Sequence, residues 1–244
     1  MSSSIWTRCA GASEIRPLRR SPWRAVEAQH QVSTRKLVDS LDEQALLEEL
    51  IDRAKPPHTV REGLHYLLFT PFRYPPPPGG SRFRGPNDPG VFYGADEIRT
   101  ACAELGYWRW RHLMDSPALA TMPTKPQTVF QVKIDGNAVD LRAKPFVRDR
   151  KAWTDAGDYS GCQAFGRTAR EARIGAIRYE SVRDPQHAAC CALLAPSAFA
   201  SPNPLEQQTW MLSVARDRVI WQRTHSLRAE EHEFAAAQWS PSAR

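Results

Sequence analysis

The stretch FQVKIDGNAVDL, residues 130–141, decides the fold class. Phe130, Val132 and Ile134 alternate with Gln131 and Lys133, the period of a strand with one buried face. Asp135-Gly136 follows, a dipeptide suited to a tight hairpin turn, and then come Val139 and Leu141. The pattern predicts two antiparallel strands. A second hairpin is predicted downstream, where TWMLSVA (209–215) and VIWQR (219–223) flank Arg216, Asp217 and Arg218. Strands and helices do not alternate as a doubly wound parallel sheet requires, and there is no GxGxxG. The expected class is α+β, with a mixed, largely antiparallel sheet.

Working outward, GAIRYESVR (175–183) reads as a strand with Ile177, Tyr179 and Ser181 on one face, and AACCALLA (188–195) as a buried strand. VFYGA (91–95) is another buried strand, and LHYLLFT (64–70) a further short one. Asp96 is an apt N-cap for a helix running to about Arg111, with Ile98, Ala101, Cys102, Leu105 and Trp108 on its buried face. Ser40 and Glu43 form an S-x-x-E capping box for a helix over about 40–55. Leu47, Leu50, Ile51 and Ala54 give that helix an apolar face expected to pack on the body of the chain, and Pro56-Pro57 stops it. A further helix begins near Ser160 and ends by Gly175, after a polar loop over 144–157. AEEHEFAAAQ (229–238) reads as a short helix. Residues 1–39 read as loosely structured. The expected organisation is an N-terminal extension over 1–60, a main domain over 61–225 and a tail over 226–244.

Composition narrows the function classes. The formal charge is +6, and the basic residues are scattered rather than gathered in a stripe, so charge alone does not point to nucleic acid. No stretch approaches the ~20 apolar residues of a membrane helix, and the first residues lack the apolar core of a secretory signal; a cytoplasmic protein is expected. Five cysteines without a CxxC pair argue against a disulfide framework or a zinc ribbon, and the histidines show no ligand-like spacing, so no metal site is expected.

The segment PFRYPPPPGGSRFRGPNDPG (71–90) is too rich in Pro and Gly for regular structure. Its large side chains, Arg73, Tyr74, Arg82, Phe83 and Arg84, suit a shaped loop over a site better than a tether. Three segments then occur in order: FRYPPPPGGSRFR, PGVFYGADEIRTACAE, and DYSGCQAFG with RYESVR shortly after. Together, over roughly 65–200, they resemble the RES domain, named for its Arg, Glu and Ser. The loop departs from the family's G-G-R-W-N, reading G-G-S-R-F-R with an added serine.

The resemblance implies a fold similar to that of ADP-ribosylating toxins. It also implies a toxin of a two-gene toxin–antitoxin module that destroys NAD, as glycohydrolase or phosphorylase, held silent by a small helix-turn-helix antitoxin. NAD would be substrate rather than cofactor, inorganic phosphate a possible co-substrate, and nucleic acid a contact only through the antitoxin. By position the resemblance points to Glu104, Arg73 and Ser160 as catalytic residues, and to Tyr74, Arg82, Tyr93 and Ser181 as substrate contacts. A carboxylate beside the ribose stabilises an oxocarbenium-like transition state. An arginine fork matches the pyrophosphate, with Arg73 and Arg82 competing for that role. Tyr93 and Tyr74 could stack on the nicotinamide. Ser160 and Ser181 compete as the family serine, whereas Asp158 and Gln163 read as structural. Water, phosphate and a protein side chain all stay open as acceptor. Two alternatives stand beside this: a nucleic-acid-binding or RNA-cleaving toxin using His65 or His112, and a RES-like binding protein without catalysis.

Overall fold

The computed structural model describes residues 14–28, 38–54, 63–226 and 228–239. Its elements run β1 Arg16–Arg20, β2 Trp23–Glu27, α1 Leu41–Ala54, α2 Tyr66–Arg73, β3 Phe92–Ala95, α3 Ile98–Met114, β4 Thr121–Gln131, β5 Ile134–Asp140, α4 Arg150–Trp153, α5 Ser160–Glu171, β6 Ala176–Glu180, β7 Ala189–Leu193, β8 Glu206–Ala215, β9 Arg218–Arg223 and β10 Glu231–Ala235. Among the described residues the strands form one sheet in the order β1-β5-β6-β7-β3-β2-β4-β8-β9-β10, in which only the β5–β6 pair is parallel. The class is therefore α+β with a mixed, largely antiparallel sheet.

Successive residues of a strand face opposite sides, and β3 shows what that does to the core. Phe92 packs with Phe130, Leu67 and Leu68 on one side, where α2 lies. Tyr93 and Ala95 meet the other side, among Phe83, Trp153, Phe165 and Ile177, beneath α4 and α5. Helix α3 covers the β4–β8–β9–β10 half, where Cys102, Trp110 and Leu113 pack on Trp210, Trp221 and Phe234. Full burial of side chains of this size contributes roughly 1.5–3 kcal/mol each. Gly106 lets α3 approach closely: a Cβ there would stand 3.2 Å from both Trp221 Nε1 and Val219 Cγ1.

Several sequence expectations are corrected. Phe130, Val132 and Ile134 are all buried in one cluster, but β4 and β5 do not form a hairpin. Asp135 and Gly136 lie within β5, paired to Arg19 and Leu18 of β1. The N-terminal strand takes the hydrogen bonds a hairpin would have made, and Arg19 Nε donates to Asp135 at 3.0 Å. Hence the expected loose start supplies two strands, and β2 is central, between β3 and β4. LHYLLFT is mostly α2; His65 Nδ1 accepts from the Leu67 N–H at 3.2 Å and caps it, burying Leu67 and Leu68. A short apolar run fits either element by period.

Helix α1 has its Ser40 cap, accepting from the Glu43 N–H at 3.1 Å, but Leu46, Leu50 and Ile51 are exposed rather than packed on the body. Its Pro56-Pro57 stop and residues 1–13 lie outside the described residues. Asp96 does not cap α3; Glu97 holds that position and Asp96 pairs with Arg178. On α3 it is Trp110 that is buried, whereas Trp108 is 51% exposed. The loop over 144–157 contains α4, with Phe146 and Trp153 buried. Within the C-terminal stretch Glu231–Ala235 is strand β10, paired with β9 with Phe234 in the core, and only Ala236–Gln238 is a helical turn.

Candidate active site

Strands β2 and β3 pair only at Trp23 and Ala95, whereas β2 continues along β4 for five register pairs. Beyond that single pairing the two halves of the sheet part, and a cavity of about 590 Å³ opens beside the seam. Trp23 and Arg24 come from one side and Tyr93 from the other; Glu104 and Trp108 come from α3, and Arg82, Tyr159 and Arg183 from loops.

Glu104 accepts from Ser181 Oγ at 2.6 Å. Burial pushes its carboxyl above the ordinary carboxylate range, while Ser181, Arg82 and Arg183 act in the opposite direction. Ser181 is fully buried and held in turn, since its Oγ accepts from the N–H groups of Arg183 (3.2 Å) and Asp184 (3.0 Å). The turn is tied to α3 through Asp184, which pairs with Arg99 and accepts from Thr100 Oγ1 at 2.7 Å.

Among the described residues, three arginines line the cavity against one carboxylate. Arg82 Nη1 donates to the Trp153 and Asp155 carbonyls, at 2.8 and 3.1 Å, and its guanidinium lies over the Tyr159 ring. Arg183 donates to Ala156 O and Tyr159 Oη, and stacks 3.6 Å over Tyr107. Arg24 donates to Tyr93 O at 2.8 Å and covers the Phe92 ring. Its Nε is buried without a partner, and among the described residues no carboxylate pairs with it. Burial pushes the Arg24 guanidinium down to about 10, which still leaves it charged at neutral pH.

The proline-glycine loop folds over the cavity and is pinned from below. Tyr93 Oη shares a hydrogen bond with Ser81 Oγ at 2.8 Å and accepts from the Phe83 N–H at 2.9 Å. Phe83 is fully buried, edge-on to Tyr179. Gly80 has φ +75°, and a Cβ there would strike Arg84 O, so this turn requires glycine. Gln163 Nε2 donates to the Gly79 and Ser81 carbonyls, at 3.1 and 3.2 Å, a structural part as its sequence position suggested.

Of the residues singled out by sequence, Arg82, Tyr93 and Glu104 meet in the cavity and Ser181 stands behind Glu104. Arg73 and Tyr74 do not line it. Arg73 ends α2, which packs on the other face of the sheet, and its guanidinium lies over the Tyr74 ring. Ser160 opens α5, exposed, its N–H held by Asp158 at 2.8 Å; its neighbour Tyr159 is the one at the cavity. Sequence reasoning missed Arg24 and Arg183. The available signals were an arginine among Trp23, Ala25 and Val26, and the final residue of RYESVR.

A mixed sheet split at one seam, with a buried carboxylate and three arginines there, defines an α+β domain with an arginine-lined cleft. The chain belongs to the RES-domain family, whose model matches residues 51–215. A similar solved structure is that of the M. tuberculosis MbcT–MbcA toxin–antitoxin complex, 13% identical, spanning 97% of this chain and 92% of that one, with a TM-score of 0.45. None of the curated proteins matches. Strands β1, β2, β9 and β10 fall outside the matched residues, although β2 builds one wall of the cavity.

Proposed function

We propose that the chain is a NAD-degrading toxin that cleaves the nicotinamide–ribose bond, as glycohydrolase or phosphorylase, and is neutralised by a cognate helix-turn-helix antitoxin in the cytoplasm. The observation that carries this reading is Glu104: a hydrogen-bonded carboxylate on the wall of a cavity that also presents three arginines. When the bond from ribose C1′ to the pyridinium nitrogen breaks, its electron pair goes to nicotinamide, which leaves neutral. Positive charge is left on the ribose. Glu104 stabilises that charge and orders the ribose hydroxyls, and water or phosphate then attacks C1′. The pyrophosphate lies against the arginines. Arg24 has a buried Nε without a partner, whereas Arg82 and Arg183 each spend one nitrogen on two protein oxygens. On this reading Arg24 and Arg82 take the phosphate role within the cavity, and Arg73 and Ser160, which do not line it, take no direct one.

A histidine-based RNA-cleaving centre finds no support, since among the described residues no histidine lines the cavity; His65 caps α2 and His112 is an exposed residue of α3. No helix among the described residues is long and apolar enough to cross a membrane.

The test is nicotinamide release from NAD by the purified chain, with and without inorganic phosphate, and with the sugar product identified. Glu104→Gln is expected to lower kcat/KM by roughly 10²–10⁴-fold with the fold intact. Full turnover in a folded Glu104→Gln protein would remove the carboxylate from the mechanism. NAD binding without turnover by the wild type would instead leave a binding protein.

A further inference from the structure

Trp239 stands beyond the residues matched by the RES model, past the last strand, yet it reaches back to the cavity wall. Its Nε1–H donates to the Arg183 carbonyl at 2.7 Å. That carbonyl belongs to the peptide joining Arg183 to Asp184, whose N–H donates to Ser181 Oγ at 3.0 Å. Ser181 then donates to Glu104 at 2.6 Å. One peptide unit is thus held at its oxygen by the tryptophan and at its nitrogen by the serine. Hydrogen bonds arranged head to tail polarise one another, so each donor upstream strengthens the one that ends on the carboxylate. The indole is held in place by its neighbours, for its ring packs against Tyr107, Trp110 and Phe234. Tyr107 also carries the Arg183 guanidinium, so Arg183 is gripped at its side chain and its backbone by the same aromatic cluster.

We propose that Trp239 is a positioning residue for the Glu104 carboxylate, acting through the 183–184 peptide and Ser181. This rests on the reading of Glu104 as the reactive carboxylate, but its geometry does not depend on the substrate. Besides Ser181, the titratable and charged groups facing Glu104 are Arg82, Arg183, Asp184, Tyr179 and Cys190, and a substitution at Trp239 removes none of them.

The experiment titrates Glu104 directly, by the carboxyl ¹³C shift that Glu104→Gln removes, and follows turnover separately. Trp239→Phe keeps an aromatic ring but has no N–H to give. The carboxyl titration is expected to move to higher pH in Trp239→Phe, and further in Ser181→Ala, which removes the last donor outright. Trp239→Phe added to Ser181→Ala is expected to shift it no more, because the route is already cut. An unmoved titration in Trp239→Phe, or a full additional shift in the double variant, overturns the proposal. Should Trp239→Phe melt below the assay temperature, Trp239→His, which keeps a ring N–H, is expected to return the titration toward the wild-type value, and failure to do so counts against it. If wild type releases no nicotinamide while the titrations behave as expected, the functional reading fails and the relay stands.

Discussion

The β4–β8 and β2–β3 contacts are both antiparallel pairings of one sheet, yet they serve opposite ends. The first is paired from Thr121 and Ala215 to Gln131 and Glu206, with one irregularity between Met122 and Lys125. Its backbone groups are spent on each other, and its inward residues fill an apolar core with Trp210 and Val129. The second is paired at Trp23 and Ala95 alone. There the Tyr93 carbonyl is left to a side chain, Arg24, and the space that a ladder would occupy is cavity. A seam left unzipped frees polar groups for a ligand, and it needs side-chain bonds to keep its shape.

Arginine substitutions give the largest way to break this contrast. Arg24→Ala is expected to raise KM for NAD about 10–100-fold, the loss of a charge-assisted hydrogen bond, while Arg73→Ala, outside the cavity lining, stays within about twofold. Steady-state nicotinamide release compares the two. The reverse order would move the anion site to α2 and undo the role given to the seam. Next comes Tyr93→Phe, which deletes the hydroxyl that holds both Ser81 and Phe83; about 1–3 kcal/mol of stability should go with it, measured by denaturant unfolding. Unchanged unfolding would mean that the loop is not pinned from β3.

The pH response is smaller and sharpens the picture of Glu104. Its carboxyl is raised in the folded protein, chiefly by burial, so the folded state holds a proton that the unfolded chain has already released. Stability tied to this group is therefore present below the ordinary carboxylate range and declines as pH rises through the raised value. Two outcomes are expected. The acid limb of kcat/KM should lie above the ordinary glutamate value, and Glu104→Gln should melt higher than wild type at neutral pH but not at low pH. The gain should amount to roughly 2–4 °C for each kcal/mol recovered. A neutral-pH melting point that falls in Glu104→Gln would show that the site does not carry this strain.

Much of this was legible in sequence where one strong signal acted alone. The β8–β9 hairpin, buried β7 and the α5 segment were read from local pattern, and the order of the RES-like motifs brought out Arg82, Tyr93, Glu104 and Ser181. What was missed depended on distant partners. In RPLRR only Leu18 is buried, so β1 shows no alternation, and its pairing with β5 is what cancels the Asp135-Gly136 turn. Arg24 sat in a segment read as loosely structured, and only its neighbours across the seam make it a cavity residue. Arg73 had the opposite history: its local motif pointed to a site, but it ends α2 and does not line the cavity.

Strand β7 has a practical consequence. Cys190 and Cys191 lie adjacent on it, both buried and with thiols pushed up by burial, and Cys190 Sγ is 4.0 Å from Glu104. A thiol reagent reaches such a sulfur only during excursions from the native state, so its labelling rate reports how often the wall beside the carboxylate opens. In a Cys9→Ser, Cys102→Ala, Cys162→Ala, Cys191→Ala background, Cys190 becomes a built-in clock for breathing of the seam. A ligand that bridges the two half-sheets should slow that clock.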